Sequence, residues 1–240
     1  MQVLFLVNVT HFQAIHHISA LDFPLALIWG ILALLCYARY LQQPRIAWLN
    51  GCCGSLIAGI MTHLALVAAW PLLLHWSWQR TRDLRHTARS LLALGAVLAL
   101  GALLVLGITP GETTTQVSFE RLASEGLPAF LAGFGRMLLW CASRLFTTAH
   151  WVPLPLYALQ DWELYLGGAI FTGLLLLVWK GPFPLSVWSA WTVLFLLPFA
   201  AISEEITTDG PEGPSHYLYL ASAGSSLLLA WAAQRAGWWS

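Results

Sequence analysis

Charged residues are scarce in this sequence, since Asp, Glu, Lys and Arg together make up 9% of its 240 residues. Soluble domains carry about 25% charged residues, so a soluble fold of this composition would expose large apolar patches and aggregate. The formal net charge is zero, and this balance indicates no nucleic-acid partner. Cysteines are also few, four in all, and their spacing is not that of metal ligands. The sequence therefore predicts no metal site and no cofactor, and it leaves a divalent metal open as an alternative without supporting it.

Apolar residues, by contrast, make up 58% of the chain and occur in long runs. These runs predict an all-α, polytopic helical membrane protein that forms a single integral membrane domain over residues 1–240. Because a span needs roughly 20 apolar residues, we expect about six transmembrane helices plus an interfacial or re-entrant helix over residues 127–146. The predicted spans lie near residues 21–41, 46–61, 63–78, 90–109, 165–179, 184–203 and 217–236.

The apolar stretch from Ile46 to Trp78 is too long for one span, because a single helix of that length would measure on the order of 50 Å. The polar pair in its middle is Thr62–His63. We therefore predict two short helices with a break at this pair.

The arginines predict the topology and the compartment. Arg39 and Arg45 flank one loop and four arginines between residues 80 and 89 crowd another, so both loops are expected in the cytoplasm. Arg136 and Arg144 are unfavourable in a lipid-facing span, so residues 127–146 are predicted to lie on the outer face. Arginine outnumbers lysine ten to one, which indicates a GC-rich bacterial genome. We expect a bacterial inner membrane protein whose N-terminus and polar loops face the periplasm or exterior.

Three segments carry a family resemblance, in an order that covers most of the chain. They are HFQAIHHISALDFPLALIWGILALLCY from His11 to Tyr37, IMTHLALVAAWPLLL from Ile60 to Leu74, and HYLYLASAGSSLLL from His216 to Leu229. Together they resemble GT-C-type membrane glycosyltransferases, in the branch of the tetratricopeptide-linked transmembrane O-mannosyltransferases and their bacterial relatives. The sequence departs from that pattern at Thr62–His63, where relatives carry Lys-Glu-like residues, at His216, where arginine is usual, and at Ala221, where proline is usual.

The resemblance implies an inverting transfer of a sugar from a polyprenyl-phosphate donor to an acceptor protein or glycan outside the cytoplasm. Membrane lipid and the lipid-linked sugar are then the expected partners. The implied substrate-binding residues are His11, His63, Arg136, Arg144, His216, Tyr217 and Tyr219. The catalytic residue is unknown. Asp22 is a weak candidate because it is out of register with the family's acidic residue, and the family's base is expected upstream of Met1, as if this chain were a fragment.

A second function stays open from the sequence alone. The break at Thr62–His63 is also typical of the discontinuous helices of transporters, although no second copy of it occurs in the chain. The alternative to a transferase is therefore a non-catalytic membrane protein, such as a transporter or flippase subunit or a degenerate relative.

Overall fold

The computed structural model describes residues 21–82, separate positions between 92 and 103, residues 122–124 and 126–147, and residues 161–200 and 218–237. All regular structure in these residues is helical, and they contain no β-strand. The all-α prediction is confirmed for this part of the chain. Three of its helices are long and apolar enough to cross a membrane, which supports the assignment to a membrane.

The described helices are numbered here in the order of the chain. They are α1 Asp22–Gln42, α2 Ile46–Thr62, α3 Ala69–Thr81, α4 Leu127–Phe146, α5 Asp161–Lys180, α6 Leu185–Ala200 and α7 Tyr219–Arg235, with a 3₁₀ helix Leu64–Ala68 between α2 and α3. The three candidate spans are α1, α4 and α5, while α2 and α6 are apolar but shorter. Positions described between 92 and 103 are also helical, and the rest of the predicted span 90–109 lies outside the described residues.

The break predicted within residues 46–78 lies between α2 and α3. α2 ends at Thr62, and His63 has an extended backbone conformation with φ −153° and ψ 120°. The chain then forms the 3₁₀ helix, so α3 begins at Ala69 rather than directly after the break. Such a 3₁₀ segment between two α-helices is a common connector.

The chain divides into two compact units, where the sequence predicted one domain. Residues Ser19–Pro110 form what we call the N-terminal unit, and Gly111–Ser240 with Met1–Ile18 form the C-terminal unit. In the N-terminal unit, α1 packs along α2. Gly59 permits this contact, because a Cβ atom at that position would meet Trp29 of α1 and Leu66 of the 3₁₀ helix.

In the C-terminal unit, α6 lies between the other helices and contacts α4, α5 and α7. Small residues line its contact with α7, where a Cβ atom at Gly224 would meet Thr192 and the backbone of Trp188. The indole Nε1 of Trp191 donates a hydrogen bond to the Leu220 carbonyl, 2.7 Å away. Close helix approach through small residues, supported by interhelical hydrogen bonds, is typical of membrane helix bundles.

The outward face of α1 is apolar, and this also fits a lipid environment. Its buried face contains Phe23, Leu27 and Leu34. On the opposite face Leu25, Ile28 and Leu35 are 49%, 52% and 58% exposed. A helix on the surface of a soluble protein would carry polar residues on that face. The exposed face of α1 is therefore suited to contact with lipid chains.

Candidate functional site

Two polar side chains that are distant in the sequence meet in the N-terminal unit. Asp22 is the first residue of α1, and His63 follows the last residue of α2. Because α1 and α2 pack side by side, the Nε2 atom of His63 lies 3.8 Å from the Oδ2 atom of Asp22. The structure thus brings together the weak catalytic candidate and one of the substrate-binding residues predicted from the sequence.

The orientation of the His63 ring is held by two neighbours. Its Nδ1 atom accepts a hydrogen bond from the Ala65 backbone N–H, 3.1 Å away, as the N-terminal cap of the 3₁₀ helix. Its ring lies 4.4 Å from the ring of Phe23, centroid to centroid. Because Nδ1 is an acceptor, neutral His63 carries its hydrogen on Nε2, the atom that faces Asp22.

The electrostatic environment favours this neutral form. His63 lies outside the three candidate spans, and burial lowers the pKa of its imidazole while the Asp22 carboxylate opposes that shift. An Nε2–H group is a donor, and a carboxylate is an acceptor. A donor of His63 thus faces an acceptor of Asp22.

The Asp22–His63 pair leaves room for a ligand. A separation of 3.8 Å is too long for a direct hydrogen bond. A hydroxyl group or a water molecule between the two side chains would bridge them by hydrogen bonds. The side chains are 37% exposed for Asp22 and 19% exposed for His63, so a ligand can reach them. The other carboxylate oxygen, Oδ1, is buried, and no described residue donates a hydrogen bond to it. Buried acceptors without a donor are rare, and this oxygen has the capacity to accept a hydrogen bond.

Arg144 has a different environment from the one expected of a phosphate ligand. It lies at the end of α4, where its Nε atom is 2.6 Å from Oε1 of Glu163 and its Nη2 atom donates a hydrogen bond to Oε2, 3.1 Å away. Both side chains are buried, and the guanidinium also lies 5.5 Å from the Trp140 ring. This two-point pairing makes Arg144 part of a buried ion pair, and its predicted contact with a substrate stays a prediction.

The other predicted site residues fall into three groups. Arg136 is exposed, halfway along the candidate span α4. Tyr219 is buried in the first turn of α7, and its predicted contact with a substrate stays a prediction. His11, His216 and Tyr217 lie outside the described residues.

Phe23 and Glu163 were not predicted as site residues from the sequence. Phe23 follows the candidate Asp22 directly, but its contact with His63 depends on the packing of α1 against α2. Glu163 stands in the first helical turn of α5, where an acidic residue is usually a solvated cap. Its burial therefore had no signal in the sequence.

Metal chemistry has no candidate site in the part of the chain that the structure describes. No group of three or more His, Cys, Asp or Glu residues lies close enough to hold an ion there. Comparison with known proteins adds no further assignment. The chain shows no significant match to any family model, curated protein or solved structure.

Proposed function

We propose that this chain is an integral membrane glycosyltransferase that moves a sugar from a polyprenyl-phosphate donor to an acceptor protein or glycan. The observation that carries the proposal is the juxtaposition of Asp22 and His63. Both residues belong to segments that resemble GT-C-type transferases, and they lie far apart in the sequence. A partly exposed carboxylate beside an oriented imidazole is a suitable arrangement for general acid–base chemistry.

In the proposed reaction, Asp22 is the general base and His63 is its positioning residue. The acceptor hydroxyl oxygen forms a bond to the anomeric carbon of the sugar, with inversion. The bond between that carbon and the phosphate oxygen breaks, and its electron pair stays on the phosphate. The hydroxyl proton passes to the Asp22 carboxylate, while the Nε2–H of His63 holds the carboxylate or the acceptor oxygen in place.

Arg136 keeps its proposed role as a phosphate ligand in the C-terminal unit. A charged side chain in the middle of an apolar helix is unfavourable unless it has a partner of opposite charge. Arg136 is exposed, so a lipid-borne phosphate can reach its guanidinium, which binds phosphate with two parallel hydrogen bonds. His11, His216 and Tyr217 also remain proposed substrate contacts.

Transfer assays on the whole chain in membranes test the proposed function. The probes are polyprenyl-phosphate mannose and polyprenyl-phosphate glucose labelled in the sugar, and the readout is released polyprenyl phosphate together with label in protein and glycan. We expect Asp22→Asn to lower the rate by about 100-fold or more, the usual contribution of a general base. His63→Gln should lower it less, because His63 acts through Asp22.

His75→Gln is the matched control, since His75 lies in the same unit on α3, away from the proposed pair. We expect it to keep the wild-type rate. The proposal is rejected if the wild-type chain transfers neither sugar, or if Asp22→Asn and His63→Gln both retain full activity. Either result would favour the non-catalytic alternative.

The proposed topology retains about six crossings of a bacterial inner membrane, with polar loops facing the periplasm or exterior, and keeps α4 as an interfacial or re-entrant helix on that face. Arg144 is neutralised by Glu163, but Arg136 remains exposed halfway along α4, where a lipid-facing charge is unfavourable. Reporters fused after Gly126 and after Thr147 should lie on the same side of the membrane, whereas a crossing helix would place them on opposite sides.

A further inference from the structure

The directions of the helices in the C-terminal unit place two cations at one end. Gly224 of α7 lies opposite Thr192 and Trp188 of α6, and Leu220 accepts the hydrogen bond from Trp191, so α6 and α7 are antiparallel. α5 and α6 are joined by residues 181–184 and pack together, which makes them antiparallel as well. α5 and α7 therefore run in the same direction, and both end where α6 begins.

An apolar cluster lies near the end of the unit where α5 and α7 end and α6 begins. Leu174 of α5, Leu185 at the start of α6 and Leu228 of α7 pack together there. Lys180 and Arg235 lie beyond this cluster, at the ends of α5 and α7, and both are exposed. The two cations thus share one end of the unit although they are widely separated in the sequence.

Each of these cations lies beside an exposed tryptophan of its own helix. The Nζ atom of Lys180 is 4.9 Å from the Trp179 ring centroid, and the guanidinium carbon of Arg235 is 5.3 Å from that of Trp231. Phe183, in the connection to α6, is also exposed. We call these five residues the basic collar: Trp179, Lys180, Phe183, Trp231 and Arg235. Tryptophan beside lysine or arginine is the combination found at the level of lipid headgroups.

Acidic side chains are separated from the basic collar. In the described residues of the C-terminal unit, the acidic ones are Asp161 and Glu163, and both lie in the first turn of α5 at the opposite end. Glu163 is moreover neutralised by Arg144. The basic collar therefore attracts anions without competition from the acidic groups described in its own unit.

We propose that the basic collar binds the headgroups of anionic phospholipids. Two exposed cations are complementary in charge to headgroup phosphates, and the three aromatic rings fit the boundary between headgroups and acyl chains. This site is independent of the proposed transferase chemistry, because it uses none of its residues. It also predicts that the collar faces the cytoplasm, where lysine and arginine are enriched in membrane proteins.

Native mass spectrometry of the whole chain, released from vesicles of phosphatidylglycerol and phosphatidylcholine, measures the preference for the anionic lipid. We expect Lys180→Gln and Arg235→Gln each to lower the preference for phosphatidylglycerol about fivefold, with roughly a 25-fold loss for the double variant. The charge-preserving variant Lys180→Arg with Arg235→Lys should keep the preference.

Asp161→Asn is the matched control, because it changes one exposed charge at the opposite end of the same unit. It should leave the preference unchanged. The proposal is overturned if the double Gln variant keeps the wild-type preference, or if Asp161→Asn lowers it equally.

The wild-type chain provides a second measurement that does not depend on the folding of any variant. Salt screens attraction between exposed charges and phosphates, so the preference for phosphatidylglycerol should decrease as ammonium acetate is raised. A preference that salt does not change would also overturn the proposal.

Discussion

Each of the two units contains a pair formed by an acidic and a basic side chain, and the two pairs differ in separation and in burial. Arg144 and Glu163 approach to 2.6 Å and are almost fully buried, with side chains 6% and 1% exposed. Asp22 and His63 lie 3.8 Å apart and remain partly exposed. A close, buried pair is satisfied by its own partner, whereas an open pair retains capacity for a ligand. The comparison favours a structural role for the first pair and is consistent with the ligand-binding role that we propose for the second.

Breaking the buried pair should have the largest effect on stability. We expect Glu163→Gln to lower the free energy of unfolding by about 3–5 kcal/mol, because it leaves the Arg144 guanidinium buried without a compensating charge. Thermal or SDS-induced unfolding of the purified chain in detergent measures this loss.

The control for that experiment is Arg136→Met, which removes an exposed guanidinium from the same helix and should change stability far less. Replacing both partners, as in Arg144→Met with Glu163→Leu, should restore much of the lost stability, since no buried charge remains. Wild-type stability in the single variant Glu163→Gln would contradict the structural role of the pair.

The backbone contact beside the buried pair should give a smaller effect. A Cβ atom at Gly167 of α5 would meet the backbone carbonyl of Leu139 of α4, so Gly167→Ala must push the two helices apart. We expect a loss of about 1–3 kcal/mol in the free energy of unfolding, the usual cost of overpacking. Unfolding in detergent again provides the measurement.

The neighbouring glycine is a matched control for this substitution. A Cβ atom at Gly168 would have no atom within 4 Å, so Gly168→Ala should be neutral or gain up to about 1 kcal/mol from helix propensity. Equal effects of the two substitutions would show that the contact between α4 and α5 is not close at Gly167.

Breaking the open pair should have the smallest effect on stability. A pair this loosely spaced contributes at most about 1 kcal/mol, so Asp22→Asn should cost no more than that. His63→Gln also removes the cap of the 3₁₀ helix and should cost about 1–2 kcal/mol. Their predicted loss of transfer activity is much larger, and this contrast separates a ligand-binding pair from a structural one. A loss of stability as large as that of Glu163→Gln would assign a structural role to Asp22 and His63 as well.

Much of the helical pattern could be predicted from the sequence. α4 spans residues 127–146, as predicted, and α1 differs from its predicted span by one residue at each end. Hydropathy is a local property that adds up along the chain, so long apolar runs identify these helices without knowledge of their neighbours. α5 begins at Asp161 rather than at residue 165, because acidic residues are favourable in the first helical turn.

The partners of the charged residues could be predicted only in part. Asp22 and His63 were both predicted as site residues, but their contact follows from the packing of α1 against α2. Arg144 was predicted to bind a phosphate, since nothing in its local sequence reveals that Glu163 lies beside it. Whether a charged group is satisfied depends on residues from another helix, and hydropathy does not encode that information.

Sequence alone determined that this chain is helical and apolar enough for a membrane, and that its long apolar segment breaks at Thr62–His63. Both properties depend on residues that are close in the sequence, the first on runs of roughly 20 residues and the second on one polar pair. Tertiary structure alone decided that Asp22 meets His63, and that Glu163 is paired with Arg144 and buried. These outcomes depend on the direction and rotation of packed helices, which are set by contacts such as Gly167 with Leu139 and Gly224 with Thr192.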